Sequence, residues 1–178
     1  MIPLRATDLR LSQKWPRHII IHHTIEQISN PSNQKFDTNR FQAGQYNERL
    51  YKVEQQKVSR YHFIVEKIDK DFEIIVNQPL FTLSEWDDLD SKYSKAVHVA
   101  LLGDYNHDIP PNRLYLVLAF RLLIPLMRLF YLKEEDILLH KHISNNPEES
   151  CPGEFVDMLK LRMAVRKVRR RTAIYRSK

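Results

Sequence analysis

The stretch from His140 to Gly153 reads H-K-H-I-S-N-N-P-E-E-S-C-P-G. It holds two of the eight histidines and the single cysteine of the chain, Cys151, which is followed at once by Pro152 and Gly153. A thiolate and a neutral imidazole are strong zinc ligands. The loop between them is long enough to fold back so that both reach one ion. Two protein ligands do not hold a catalytic zinc, so a third must come from elsewhere. The obvious donor is the pair His22 and His23, which ends the run R-H-I-I-I-H-H-T from Arg17 to Thr24. On residue types alone, either member of each histidine pair can serve. The constellation reads as the centre of a zinc hydrolase.

Outward from that stretch, the segment Arg17–Thr24 is rich in isoleucine and bounded by Pro16, the pattern of a buried strand. Side chains alternate along a strand, so His22 and His23 point to opposite faces and only one looks into a given site. A loop is expected around Asn30–Gln34, and a helix from Asp37 or Thr38 to about Gln56. Arg60–Ile68, the turn D-K-D and the run F-E-I-I-V make a hairpin. The acidic stretch S-E-W-D-D-L-D lies in an irregular segment, Asn77 to Tyr93, that borders a groove. Ala96–Leu102 is another strand. Pro110 and Pro111 open a helix over about Asn112–Leu132, because proline is tolerated in a first turn. Its apolar length invites a membrane-spanning reading. Arg121 and Arg128 argue against one, since charge at mid-membrane is costly, and Pro125 interrupts the run. Ile137–Leu139 is a short strand delivering His140. Met158, Leu161, Val165 and Val168 recur at helical spacing and mark a final helix with one apolar stripe.

The order is mixed, and it predicts an α/β single domain: a central mixed β-sheet flanked by α-helices, with the metal site at strand ends. The 178 residues suffice for one domain with a sizeable core. A lone cysteine excludes an internal disulfide framework. The formal charge of +6 is concentrated near the C-terminus, in V-R-K-V-R-R-R-T-A-I-Y-R-S-K. That cluster suits either a solvated helix end or attraction to a polyanion such as an anionic envelope polymer. Residues 1–165 are thus taken as the catalytic domain and 166–178 as a basic C-terminal tail. No nucleic-acid-binding signature is present, so no specific nucleic acid is expected as a partner.

Four motifs occur in order: I-I-I-H-H-T, Y-H-F-I-V, V-A-L-L-G-D-Y-N, and L-L-H with C-P-G after it. In that order they resemble the type-2 N-acetylmuramoyl-L-alanine amidases. That superfamily includes amidase-type phage lysozymes and the peptidoglycan recognition proteins. The resemblance spans about Arg17 to Leu161. It implies a zinc ion held by His22, His140 and Cys151, with Tyr61 of the Y-H-F motif catalytic. It also implies cleavage of the amide between N-acetylmuramic acid and L-alanine in peptidoglycan or a muropeptide. Three protein ligands leave one position open, the catalytic rather than the structural pattern.

Three departures from the family pattern matter. Leu139-His140-Lys141 stands where Gly-His-Arg is frequent, which leaves His142 as a competitor for His140. Glu149 stands two places before the cysteine, where Lys or Thr is frequent; a carboxylate there suits a base. Ala100 stands where other branches carry a glutamate, which favours the tyrosine-type site. His23, His62 and His98 are assigned to structure or groove lining, with His98 replacing a usually small residue. The alternative is a non-catalytic peptidoglycan-binding module of the same fold. Either way the protein is expected to act at the cell wall, on the periplasmic or extracellular side. The N-terminal residues lack the apolar core of a secretory signal. Reaching the wall then calls for another export route or a leader outside this sequence.

Overall fold

The computed structural model describes residues 16–24, 60–84 and 86–176. The loop expected at Asn30–Gln34 and the helix expected from Asp37 or Thr38 to Gln56 lie outside the described residues. Five strands form one mixed sheet: β1 (Ile19–Thr24), β2 (Phe63–Ile68), β3 (Asp71–Val76), β4 (Val97–Leu102) and β5 (Ile137–Leu139). Their spatial order is β3-β2-β4-β1-β5. β1 runs parallel to both β4 and β5, β2 is parallel to β4, and β2 and β3 form the antiparallel hairpin. The protein is a mixed α/β single domain, as the order of elements predicts.

The two central strands show why the sequence reads as it does. A strand flanked on both sides and covered on both faces needs apolar, β-branched side chains throughout. Ile19, Ile20 and Ile21 are fully buried, and so are Val97, Val99 and Ala100 beside them. Each buried isoleucine contributes about 2 kcal/mol of hydrophobic stabilisation. Alternation then divides them. Ile19, Ile21, Val97, Val99 and Leu101 face the main core, whereas Ile20 faces a second cluster with Leu89 and Ala96. The two hairpin strands join through Asp69 and Lys70, with Asp69 at φ 50°, a conformation that aspartate tolerates better than most residues.

Helices cover the main core. The first is one rod in three consecutive pieces: α1 (Asn112–Val117), a π-helical stretch at Leu118–Leu123, and α2 (Ile124–Leu129). Pro125 therefore does not interrupt the helix. A proline ring clashes with the carbonyl four residues back. Widening the preceding turn makes room for it: Ile124 N–H donates to Ala119 O, five residues back, in the π pattern. The rod also ends earlier than expected. Tyr131 adopts φ 56° and Leu132 N–H donates to Met127 O, which closes the helix in a Schellman turn. Arg121 lies on the exposed side, where it reaches Asp71 and the carbonyl of Phe72. No described helix is long and apolar enough to cross a membrane.

The final helix, α3 (Met158–Arg176), runs without a break past residue 165. Arg166, Lys167, Arg169, Arg170 and Arg171 are thus carried on helix, with Arg166 and Arg169 paired to Glu134. Leu161, Val165 and Val168 of the expected stripe are buried, and Met158 packs at the margin.

One close approach fixes the loop before α3. Gly153 sits at φ 107°, and a Cβ there would meet the backbone carbon of Tyr105 at 2.5 Å. The same Tyr105 segment receives the N–H of Phe155 on its carbonyl at 3.1 Å. Neither chain can move aside cheaply. Gly153→Ala is expected to lower the stability of the zinc-free protein by at least about 2 kcal/mol. Thermal unfolding should show a drop of about 5 °C or more. An unchanged melting temperature contradicts the tight contact.

Candidate metal centre

The sheet register builds the centre. β1 and β5 pair Ile19 with Ile137, Ile20 with Leu138 and Ile21 with Leu139. The next residue along each strand direction is His22 and His140, so the two imidazoles emerge side by side where the β1–β5 pairing stops, with ring centroids 4.6 Å apart. His140 then opens a short 3-10 turn to His142. Lys141 N–H donates to Cys151 O at 2.6 Å, and the Lys141 ammonium donates to Gly153 O at 2.8 Å. Those bonds fold the C-P-G segment back onto the histidine turn. Cys151 Sγ comes to 3.8 Å from His22 Nδ1 and receives the His23 N–H at 3.3 Å.

His22, His140 and Cys151 are all buried, and a ligand atom from each lies within 4.8 Å of the others. The structure thus brings together three residues close enough to hold one metal ion. His142 is exposed and lies outside this group. His23 points to the other face of β1, as alternation requires. Tyr61 is half-buried beside the centre, its ring centroid 5.4 Å from that of His22. Glu149 accepts the Cys151 N–H through Oε1 at 2.8 Å and forms a second group with Asp88 and His140. Ala100 pairs directly with His22 in the sheet.

Two neighbours escaped the sequence reading, although the acidic segment that carries them was placed at a groove. Trp86 stacks on His22 with centroids 4.3 Å apart and planes 13° apart. Asp88 Oδ2 lies 2.9 Å from His140 Nε2 and accepts the Ser144 hydroxyl at 2.6 Å. A carboxylate behind a ligating histidine is a recurrent support that orients the ring. Its signal in the sequence is only one acidic residue among several.

The electrostatics favour a cation at this position. Burial holds His22 well below the ordinary histidine range, with neighbouring His98 and His140 acting in the same direction. Its imidazole is therefore neutral at pH 7, the form that binds metal. Burial pushes the Cys151 thiol up to about 12, and the charges of Glu149 and Asp88 add to this against the His23 N–H. Without a cation the sulfur keeps its proton. His140 is 3% exposed; its Nε2 faces Asp88 at 2.9 Å, while its Nδ1 has no hydrogen-bond partner. An unsatisfied buried imidazole costs free energy on the order of 1–3 kcal/mol unless something occupies its lone pair. A zinc ion fits this donor set: two imidazoles and one sulfur, with a fourth position left for a non-protein ligand.

No protein-family model matches the chain, and no curated protein matches it. Solved structures do match. The chain has the fold of the N-acetylmuramoyl-L-alanine amidases and peptidoglycan recognition proteins. The amidase LysC from Clostridium intestinale URNW superposes with a TM-score of 0.61 at 17% identity, covering 93% of this chain and 91% of that one. A selenomethionine derivative of AmpD gives 0.55 at 16% identity, covering 88% of each chain. The Drosophila recognition protein PGRP-SD gives 0.54 at 19% identity, covering 82% of this chain and 78% of its own. At these identities what is shared is the fold, nearly end to end for the two amidases.

Filling this amidase-fold centre with zinc should displace the Cys151 proton. Because the thiol is protonated at neutral pH and the imidazole of His22 is not, close to one proton is expected per zinc bound, and affinity should rise with pH. Calorimetry in buffers of different ionisation enthalpy measures that release. Cys151→Ser should abolish it. His140→Ala should lose the metal while His142→Ala keeps it; the reverse pattern overturns the ligand set.

Proposed function

We propose that the protein is a zinc-dependent peptidoglycan hydrolase that cleaves the amide between N-acetylmuramic acid and the L-alanine of the stem peptide. The observation that carries this reading is the buried trio His22, His140 and Cys151 at the strand ends of an amidase fold. His22, His140 and Cys151 would hold the zinc. When bound, the zinc supplies a Lewis acid for the scissile carbonyl and a means of activating water. Two neutral imidazoles and one thiolate leave such a centre with a net charge of +1, which favours a carbonyl oxygen gaining negative charge.

The chain's own residues have separate tasks in this reading. Tyr61, beside His22, donates its hydroxyl hydrogen to the carbonyl oxygen as charge builds there. Glu149, two places before Cys151 and grouped with His140, takes a proton from the attacking water. Trp86 covers the His22 ring and keeps solvent from it. Glycan or peptide lies along the groove bordered by the Trp86 segment. The solved relative PGRP-LB from Drosophila has been crystallised, as a tyrosine variant, with tracheal cytotoxin. This supports a muropeptide-like ligand for a fold of this kind. The site of action is then the cell wall.

Purified peptidoglycan tests the proposal. The zinc-loaded protein should release new L-alanine amino termini, and a chelator should stop the release. Tyr61→Phe should keep zinc and fold but cut the rate about a hundredfold to a thousandfold, the usual cost of one lost oxyanion donor. Binding to the wall with no new L-alanine termini would instead identify a non-catalytic recognition module. Full activity of Tyr61→Phe would remove the tyrosine from the mechanism.

A further inference from the structure

We infer that His98 is a positioning residue: through one hydrogen bond it fixes which nitrogen of His22 faces the metal position. The inference rests on the zinc reading above. His98 Nδ1 lies 2.9 Å from His22 Nε2, in a buried contact. Two ring nitrogens at that distance share one proton, and the direction is set on the far side of His98. Its Nε2 lies 3.2 Å from the carbonyl oxygen of Tyr93. A carbonyl only accepts, so His98 Nε2 carries the proton and His98 Nδ1 presents a lone pair. His22 must then donate from Nε2. Its Nδ1 is left with a free lone pair, and that is the nitrogen 3.8 Å from Cys151 Sγ.

His98 is itself held from every side. Its backbone N–H donates to His62 Nδ1 at 3.0 Å, and His62 Nε2 reaches the carbonyl of Thr82 at 3.0 Å. The same logic applies there: the Thr82 carbonyl takes the proton on Nε2 and leaves Nδ1 to accept. Trp86 stacks on His98 at 5.4 Å and 18°, and His62 at 5.9 Å and 15°. The Tyr93 carbonyl thus determines the tautomers of His98 and His22 in series, and the Thr82 carbonyl separately determines that of His62. The register makes this possible, because His98 pairs with Ile20 and so stands diagonally beside His22 on the same face of the sheet.

The choice of a neutral acceptor has a consequence for charge. His140 is backed by the Asp88 carboxylate, and Cys151 brings a further negative charge when it binds metal. A second carboxylate behind His22 would lower the positive charge available to the substrate. An imidazole backed by a carbonyl orients His22 without adding charge.

The test compares two substitutions. His98→Asn keeps an acceptor oxygen near the place of Nδ1. His98→Leu fills similar volume and offers none. Zinc affinity, read by competition with a chelator, should fall about tenfold to a hundredfold in His98→Leu, the usual effect of losing such a support. In His98→Asn it should stay within a few-fold of the unmodified protein. Ring-nitrogen NMR of the zinc-free protein should show His22 and His98 both protonated on Nε2, and His22 should gain Nδ1–H tautomer in His98→Leu. Unweakened zinc binding by a folded His98→Leu overturns the inference, and so does an Nδ1–H His22 in the unmodified protein. If the unmodified protein binds no zinc, the zinc reading fails, while the NMR arm still decides the role of His98.

Discussion

The parallel pairing of β1 with β5 stops at Ile21 and Leu139, while β1 runs on beside β4 to Thr24. That register leaves two histidines as the first residues beyond the paired segments, with imidazoles in contact. A slip of one residue would turn His22 to the opposite face. Burial of Ile19, Ile20 and Ile21 on both faces makes such a slip expensive, because no polar face is available to exchange. The hydrophobic core therefore sets the geometry of a polar site. Gly153 completes the arrangement from the other side. Its bare Cα lets the Tyr105 segment close on the loop that carries Cys151.

Burial then gives the site its chemical bias. Taken out of water, His22 stays neutral and Cys151 holds its proton. Each polar atom that finds no protein partner carries a desolvation cost. His140 Nδ1 is such an atom, in a place where nearly every other ring is stacked or hydrogen-bonded. A divalent cation answers all three conditions together: it takes the imidazole lone pairs and replaces the thiol proton. The supports behind the ligands differ in kind, carboxylate for His140 and imidazole for His22. That difference keeps the number of negative charges low around the three residues.

Much of this was legible in the sequence, for definite physical reasons. Isoleucine runs, the D-K-D turn and the apolar stripe of the last helix report burial directly, so strands, hairpin and helix fall within three residues of the expected bounds. Arg121 and Arg128 argued against the membrane alternative, and no described helix is long and apolar enough to cross a membrane. The choice between His140 and His142 was not legible, since spacing alone allows either; the structure groups His140 with His22 and Cys151 and leaves His142 exposed beyond the 3-10 turn. Asp88, Trp86 and the role of His98 were hidden for a different reason. Each depends on which residues stand opposite one another across strands or loops far apart in sequence, and no local pattern encodes that register. Pro125 misled because a proline is a local signal of helix breakage, whereas the π stretch before it is a local remedy that sequence periodicity does not reveal.

The central claim is that His22, His140 and Cys151 hold one zinc ion. X-ray absorption at the zinc edge on the loaded protein tests it most directly. The expected spectrum is four-coordinate, with one sulfur at about 2.3 Å and nitrogen or oxygen neighbours at about 2.0–2.1 Å. The sulfur shell should vanish in Cys151→Ser. A six-coordinate shell of oxygen and nitrogen alone, unchanged by that substitution, would contradict the account.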